Sequence, residues 1–251
     1  LRGFAAASLT CRARAENYYI GLGEFVKEER IGEGVVGTVC KGRWRGLNVA
    51  IKDLKSNYAT GTTAHEDLIQ ELRVWSRLRH PNIVTFLGAS ISAESPTILC
   101  EYMEGGSMEE VFARKRQQRR APWEPPRTMV HAWSLDLCRA LAYLHGSSPP
   151  LVHRDVKPAN VLLSRDLSRV KLSDFGLARA CPEGAFDMTG NTGTKRYMAP
   201  EVYRKERDYG TPVDVYSAAM IMWQMNTGRR PWEALQAEEV ARQAAGDAEL
   251  R

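Results

Sequence analysis

What this sequence lacks narrows it first. No apolar run approaches the ~18 residues that a membrane-spanning helix requires; the longest candidate, Val215–Trp223, falls far short. Cysteine is scarce and unpatterned: five residues (Cys11, Cys40, Cys100, Cys138, Cys181), odd in number and without paired metal-ligand spacing. A disulfide framework and a thiolate zinc site are therefore excluded, and the set reads as free thiols in a reducing compartment. Internal repeats and low-complexity tracts are missing too. The first fifteen residues contain no acid, only three Arg and several Ala, a faint organelle-transit composition. Because the chain opens on Leu, an interior fragment is the stronger expectation, with residues 1–23 a flexible segment. Present instead are 251 residues with 43% hydrophobic content, enough for a sizeable core in one or two domains. The formal net charge of +5 is a mild excess, suited to an anionic ligand without demanding nucleic acid. A soluble, cytoplasmic chain is expected, with no membrane span.

The most informative stretch is Leu151–Leu163, Leu-Val-His-Arg-Asp-Val-Lys-Pro-Ala-Asn-Val-Leu-Leu. Its apolar ends read as short buried strands around a polar centre. Asp155, Lys157 and Asn160 fall within six residues, and Pro158 blocks a helix while biasing Lys157 toward extended backbone. A carboxylate, an ammonium and a carboxamide held together suit a hydroxyl, a travelling phosphate and a metal ion. Upstream, Ile31 leads into Gly32-Glu33-Gly34-Val35-Val36-Gly37-Thr38-Val39, a G-x-G-x-x-G-x-V pattern. Glycines let a backbone approach phosphate oxygens and offer N–H groups to them. A dinucleotide fold would open a helix here. This loop instead runs into β-prone Thr38-Val39-Cys40 and then a further strand, Val49-Ala50-Ile51-Lys52.

Alternation along that strand points Val49 and Ile51 into a core and Ala50 and Lys52 the other way. Residues 62–79 read as a helix with an apolar stripe of Leu68, Leu72, Trp75 and Leu78. Glu71 falls inside the stripe, where a carboxylate is costly unless paired; Lys52 is its natural partner. Pro81 stops the helix.

These motifs, with Asp174-Phe175-Gly176 after a strand and Ala199-Pro200-Glu201 further on, resemble the eukaryotic protein kinase set, H-R-D-x-K-x-x-N above all. The resemblance covers residues 25–239. It implies an α+β, bilobal fold: an N-lobe and hinge over 24–104 and a mostly helical C-lobe over 105–251, lacking its last helices. It implies ATP and Mg2+ as cofactors and protein substrates with Ser or Thr hydroxyls. Asp155 and Lys157 are then catalytic, as are Lys52 and Glu71, the pair that positions phosphates; Asn160 and Asp174 hold metal. Gly32, Gly34 and Gly37 cover the phosphates. Ile31, Val39, Ala50 and Leu162 line the nucleotide site, with backbone groups of Glu101 and Met103 on adenine and Cys100 as gatekeeper. Lys157 and Gly193-Thr194 resemble the Ser/Thr pattern, and Trp44-Arg45-Gly46 with residues 188–194 is similar to the tyrosine-kinase-like group, Raf-like and mixed-lineage-like enzymes included. Arg154 beside Asp155 suggests a clamp for a phosphate that an upstream kinase places on Thr189 or Thr192.

Departures are equally visible. Trp75 stands where the family usually has a smaller aliphatic residue. The basic run Arg114–Arg120 reads as a solvated surface loop, residues 231–245 as one more helix, and the end at Arg251 as a truncated C-lobe. A pseudokinase or scaffold is the alternative, although such chains usually lose Lys, Asp or Asn from the catalytic set. A nucleic-acid module is the weaker competitor.

Overall fold

A computed structural model describes residues 13, 18–33, 37–54, 68, 71–72, 74–90, 96–176, 178–180, 195–204, 209–235 and 239–240. The chain divides into two compact units: Leu1–Arg79 with Val84–Met103, and His80–Ile83 with Glu104–Arg251. The first is built on a sheet and the second is mostly helical, an α+β organisation.

The first unit holds five antiparallel strands, β1 (Phe25–Glu33), β2 (Gly37–Trp44), β3 (Leu47–Leu54), β4 (Phe86–Ser90) and β5 (Thr97–Glu101), ordered β1-β2-β3-β5-β4. In β3 Val49 and Ile51 are fully buried and join Ile20, Phe25 and Leu99 in the core, while Ala50 and Lys52 occupy the other face, half-buried. The β2–β3 turn uses Arg45 and Gly46, both at positive φ, the geometry that matches the twist of a two-residue hairpin. Glycine is required at Gly37, where a Cβ would lie 1.9 Å from the Asp53 carbonyl oxygen.

Tyr18–Ile20 extends this unit. Ala89 N–H donates to Tyr18 O at 2.8 Å and Ile20 N–H to Ala89 O at 2.9 Å, with Tyr19 bridged parallel to Ala89. The outer edge of β4 is thereby covered, so the flexible segment drawn over 1–23 does not extend to these three residues. Helical backbone is described at Leu68, Glu71, Leu72, Val74 and Trp75, and the stripe of Leu68, Leu72, Trp75 and Leu78 is buried. Trp75 has its own reason to be there: its indole N–H donates to Val84 O at 2.8 Å and its ring packs on Phe86.

In the second unit the Met108–Arg119 helix starts from a capping box, Ser107 and Glu110 each taking the other's backbone N–H. It runs through the basic stretch, which is thus helix and not the loop expected above, because Arg, Lys and Gln are good helix formers. The Arg127–His145 helix buries Trp133, Leu137, Leu141 and Leu144, and the Pro212–Thr227 helix buries Val213, Ala218, Ile221 and Met225. Short ladders fill the space between: β6 (Gly106–Ser107), β8 (Val161–Leu163) and β9 (Val170–Leu172) form one sheet, and β7 (Leu151–Val152) pairs with β10 (Arg179–Ala180). Residues 231–235 are turns, with Trp232 at φ 55°, so no helix begins at Pro231; helical backbone returns at Glu239 and Val240. Among the described residues no helix is long and apolar enough to cross a membrane.

Candidate active site

Each unit carries one half of the polar machinery. In the first, Lys52 Nζ lies 3.0 Å from Glu71 Oε1, their side chains 15% and 5% exposed. The sheet fixes the lysine, since Lys52 pairs across to Val39 on one side and Ile98 on the other. The helical stripe fixes the glutamate among Leu68, Leu72 and Trp75. A buried ion pair contributes little net stability against a hydrophobic replacement, so what this one provides is an ammonium held at a defined point. Above it, the β1–β2 hairpin pairs Gly32 with Val39. A Cβ on Gly32 would meet only Val39 Cβ, at 3.8 Å, which is ordinary contact. Packing does not demand glycine at 32.

Also in this unit, Glu101 N–H is taken by Thr85 O at 2.9 Å, and its carboxylate accepts from Thr85 N–H and Oγ1–H. Cys100 and Met103 are buried, and Ile31 is exposed.

In the second unit the stretch singled out from sequence forms a tight polar turn. Strands β7 and β8 bracket it, and Pro158–Asn160 closes it as one turn of 3-10 helix. Lys157 Nζ donates to Asp155 Oδ2 at 2.8 Å; Asn160 Nδ2 donates to Asp155 O at 2.8 Å and to Oδ2 at 2.9 Å. Burial pushes the Asp155 carboxyl above the ordinary aspartate range, against the opposing pull of Lys157, and Asp174 adds to the rise. Asp155 is therefore a carboxylate with raised proton affinity, fixed at one oxygen by two donors. His153, fully buried, orients it further: Asp155 N–H reaches His153 Nδ1 at 3.3 Å, while Nε2 lies 3.0 Å from Ser173 O. Those two partners assign the tautomer, with the proton on Nε2.

Phe175 packs edge-on against the His153 ring at 5.1 Å and is fully buried. Its neighbour Asp174 takes a positive φ of 62°, a left-handed conformation that Asp tolerates better than most residues. Ser173 N–H and Oγ–H both bond to Asn160 O, which ties the Asp174 segment directly to the Asp155 turn. Asn160 spends its Nδ2 on Asp155. Among the described residues no cluster of three His, Cys, Asp or Glu can enclose a metal. Amide and carboxylate oxygens, the donor type of Asn160 and Asp174, are the kind that suits Mg2+, an ion that keeps water and phosphate in its remaining positions. Leu162 is half-buried, on the face of β8 opposite fully buried Val161 and Leu163.

Gly34, Thr189, Thr192 and Thr194 lie outside the described residues. Sequence reasoning also passed over groups that hold the site. The Asp214 carboxylate, with no exposed surface, accepts His153 N–H and Arg154 N–H, each at 2.8 Å, and lies 2.9 Å from His145 Nε2. Asp136 accepts Val170 N–H at 3.1 Å and Arg169 Nε–H at 2.9 Å, fixing β9 just before Asp174. The signal for Asp214 was an acid on an otherwise apolar helix with no cation to match it locally; Asp136 has Arg139 one turn on, 3.8 Å away.

One unit thus carries a glycine-cornered hairpin with a buried Lys–Glu pair, and the other an Asp-Lys-Asn turn followed by a second Asp, the residue set of a protein kinase. A family model described as protein kinase domain matches residues 25–249, and the chain belongs to that family. It is 36% identical over 224 residues to Serine/threonine-protein kinase VIK of Arabidopsis thaliana, covering 87% of this chain and 49% of that one. It is 38% identical over 215 residues to human Mitogen-activated protein kinase kinase kinase 7, covering 84% and 33%. A third relative, Seven transmembrane domain-containing tyrosine-protein kinase 1 of Dictyostelium discoideum, is 35% identical over 234 residues, covering 91% and 32%. The chain thus spans half or less of the length of these curated relatives.

Proposed function

We propose that this chain transfers the γ-phosphoryl group of ATP to Ser or Thr hydroxyls of protein substrates, as a member of the tyrosine-kinase-like group. The observation that carries the reading is the Asp155 turn, where a desolvated carboxylate is held by Lys157 and Asn160 with Asp174 close behind. Asp155 orients the substrate hydroxyl and accepts its proton. Lys157 faces the charge that spreads over the phosphoryl group, and Lys52, set by Glu71, takes the α- and β-phosphates beneath Gly32, Gly34 and Gly37. Asn160 and Asp174 hold Mg2+, which when bound neutralises phosphate charge. Ile31, Val39, Ala50 and Leu162 flank the base, with main-chain groups of Glu101 and Met103 on its edge. Positioning and electrostatics supply most of the acceleration in this chemistry.

The Ser/Thr assignment draws on Lys157 and on the names of the relatives above. With Lys52, Asp155, Asn160 and Asp174 all present, a pseudokinase has no missing group to rest on. The few, unpatterned cysteines accord with a cytoplasmic setting. Control by phosphorylation belongs to the same proposal: an upstream kinase acts on Thr189 or Thr192 and Arg154 clamps the phosphate. Active protein carrying no phosphate between Asp174 and Glu201, by mass spectrometry, removes that part. The function itself is tested with γ-labelled ATP and a Ser/Thr peptide library. Mg2+-dependent label on peptide, lost in Asp174→Asn, is the expected result; no transfer by the wild-type chain overturns it.

A further inference from the structure

One face of the second unit carries cations that the proposed chemistry does not use. The Met108–Arg119 helix and the turn after the Pro212–Thr227 helix are joined there by two ion pairs, Arg116 with Glu233 and Arg230 with Glu109. Those pairs occupy both acids. Arg119 ends its helix one turn beyond Arg116, Arg120 caps it, and Arg229 directly precedes Arg230. Arg119, Arg120 and Arg229 are all exposed, and none has an ion-pair partner among the described residues. Like charges gathered in this way repel one another and give the fold nothing in return.

The same face holds a cavity of about 360 Å3, lined by Trp223, Arg229, Arg230, Glu233 and Ala234. Its walls are fixed on two sides. Gly228, at φ 63°, lies so close to Trp123 that a Cβ there would stand 2.8 Å from the Trp123 carbonyl oxygen. Arg196 holds the far side: Nη1 donates to Pro231 O at 3.2 Å and to Trp232 O, and Nη2 to Leu235 O at 3.0 Å. Trp223 remains 45% exposed, so its indole is open to a ligand. An indole beside two guanidinium groups offers one ligand both an apolar surface and forked donors. That fork matches a carboxylate with two parallel hydrogen bonds.

We infer that this face docks an acidic polypeptide segment, with Asp and Glu carboxylates on Arg229, Arg119 and Arg120 and an apolar side chain against Trp223. The pattern of charge favours a polypeptide over other polyanions. Glu109 and Glu233 stand among the arginines and oppose the unbroken charge of a nucleic-acid backbone, whereas a peptide can place its carboxylates between them. Trp223 lines a recess and is not the protruding apolar face that inserts into a bilayer. None of these residues belongs to the phosphate-transfer site, so an inactive wild-type chain would still leave the docking measurable.

The test measures binding to the whole chain by fluorescence anisotropy. The probe is a labelled Asp/Glu-rich peptide with one central leucine, and the control is the same peptide with every acid changed to its amide. At low ionic strength the acidic peptide should bind about tenfold tighter than the control, and the advantage should shrink as salt rises. Arg229→Glu should weaken its binding about tenfold, chiefly by slowing association, and Arg119→Gln/Arg120→Gln about threefold. The two variants lie on separate elements, so one decides should the other fail to fold. No preference for the acidic peptide, or undiminished affinity in every folded variant, overturns the inference. Equal or tighter binding of duplex DNA or of phosphatidylserine vesicles overturns it too, and gives the face to a nucleic acid or a membrane instead.

Discussion

Asp214 holds His153 by its backbone: the buried carboxylate accepts the His153 N–H at 2.8 Å from a position 61 residues away. Its other oxygen takes the Arg154 N–H, so one side chain fixes the main chain on the approach to Asp155. Asp214→Ala strands both N–H groups, at about 1–3 kcal/mol each for a buried donor left unsatisfied. A destabilised second unit in urea denaturation is expected, along with weaker transfer. A variant as stable as wild type would show that the turn stands without this support.

Lys52 and Glu71 form a buried pair, and removing one partner leaves the other charge uncompensated, at about 3–5 kcal/mol. Lys52→Met should abolish transfer and lower stability. Lys52→Met/Glu71→Gln should recover much of the stability and none of the transfer. Denaturation and transfer assays on the two variants check this, and recovery of activity in the double variant would contradict the role given to Lys52.

His80 supplies a pH signature away from the catalytic groups. Burial holds its imidazole below the ordinary histidine range, helped by Arg139 and opposed by Asp136. The neutral ring stacks on Tyr143 and accepts Asn82 N–H at 3.1 Å. Because the folded value is depressed, the folded state binds fewer protons at this site than the unfolded one. The stability contribution is present above the ordinary histidine pKa and is lost as pH falls through the depressed one. An NMR titration should place the His80 midpoint below that of a free histidine, and His80→Gln should flatten stability across that window. A midpoint at or above the free value would contradict the assignment.

Trp75→Phe removes the indole N–H from Val84 O while keeping an aromatic against Phe86. A loss of about 1–3 kcal/mol follows from one unsatisfied buried carbonyl, and Trp75→Ala should cost about 3–5 kcal/mol. Equal stability of Trp75→Phe and wild type would show the hydrogen bond to be idle.

How much was legible in the sequence depended on the range of each interaction. The Lys157–Asp155–Asn160 turn is local in sequence, and its residue types announce it. The Lys52–Glu71 pair spans 19 residues, yet it could be inferred, because an acid inside an apolar stripe needs a cation and the alternation of β3 offered one. Asp214, Asp136 and Arg196 were missed because the main-chain groups they hold lie 34 to 61 residues away, and sequence spacing does not show which backbone N–H or carbonyl will arrive. The Arg114–Arg120 run was misread as a loop because its charge drew attention from the Ser107–Glu110 cap that starts the helix. Residues 231–235 were misread as helix because Trp232 gives no sequence sign of a left-handed backbone. That conformation goes with carbonyls gripped by Arg196, itself 36 residues distant from Trp232.

The single-turnover rate of phosphoryl transfer in Asp155→Asn, at saturating Mg2+ and ATP, reaches the centre of the account. Loss of a positioned base should slow transfer by about 10²–10⁴-fold, with nucleotide affinity changed by no more than about threefold and the fold retained. Transfer at the wild-type rate would contradict the role assigned to Asp155, and with it the proposed chemistry.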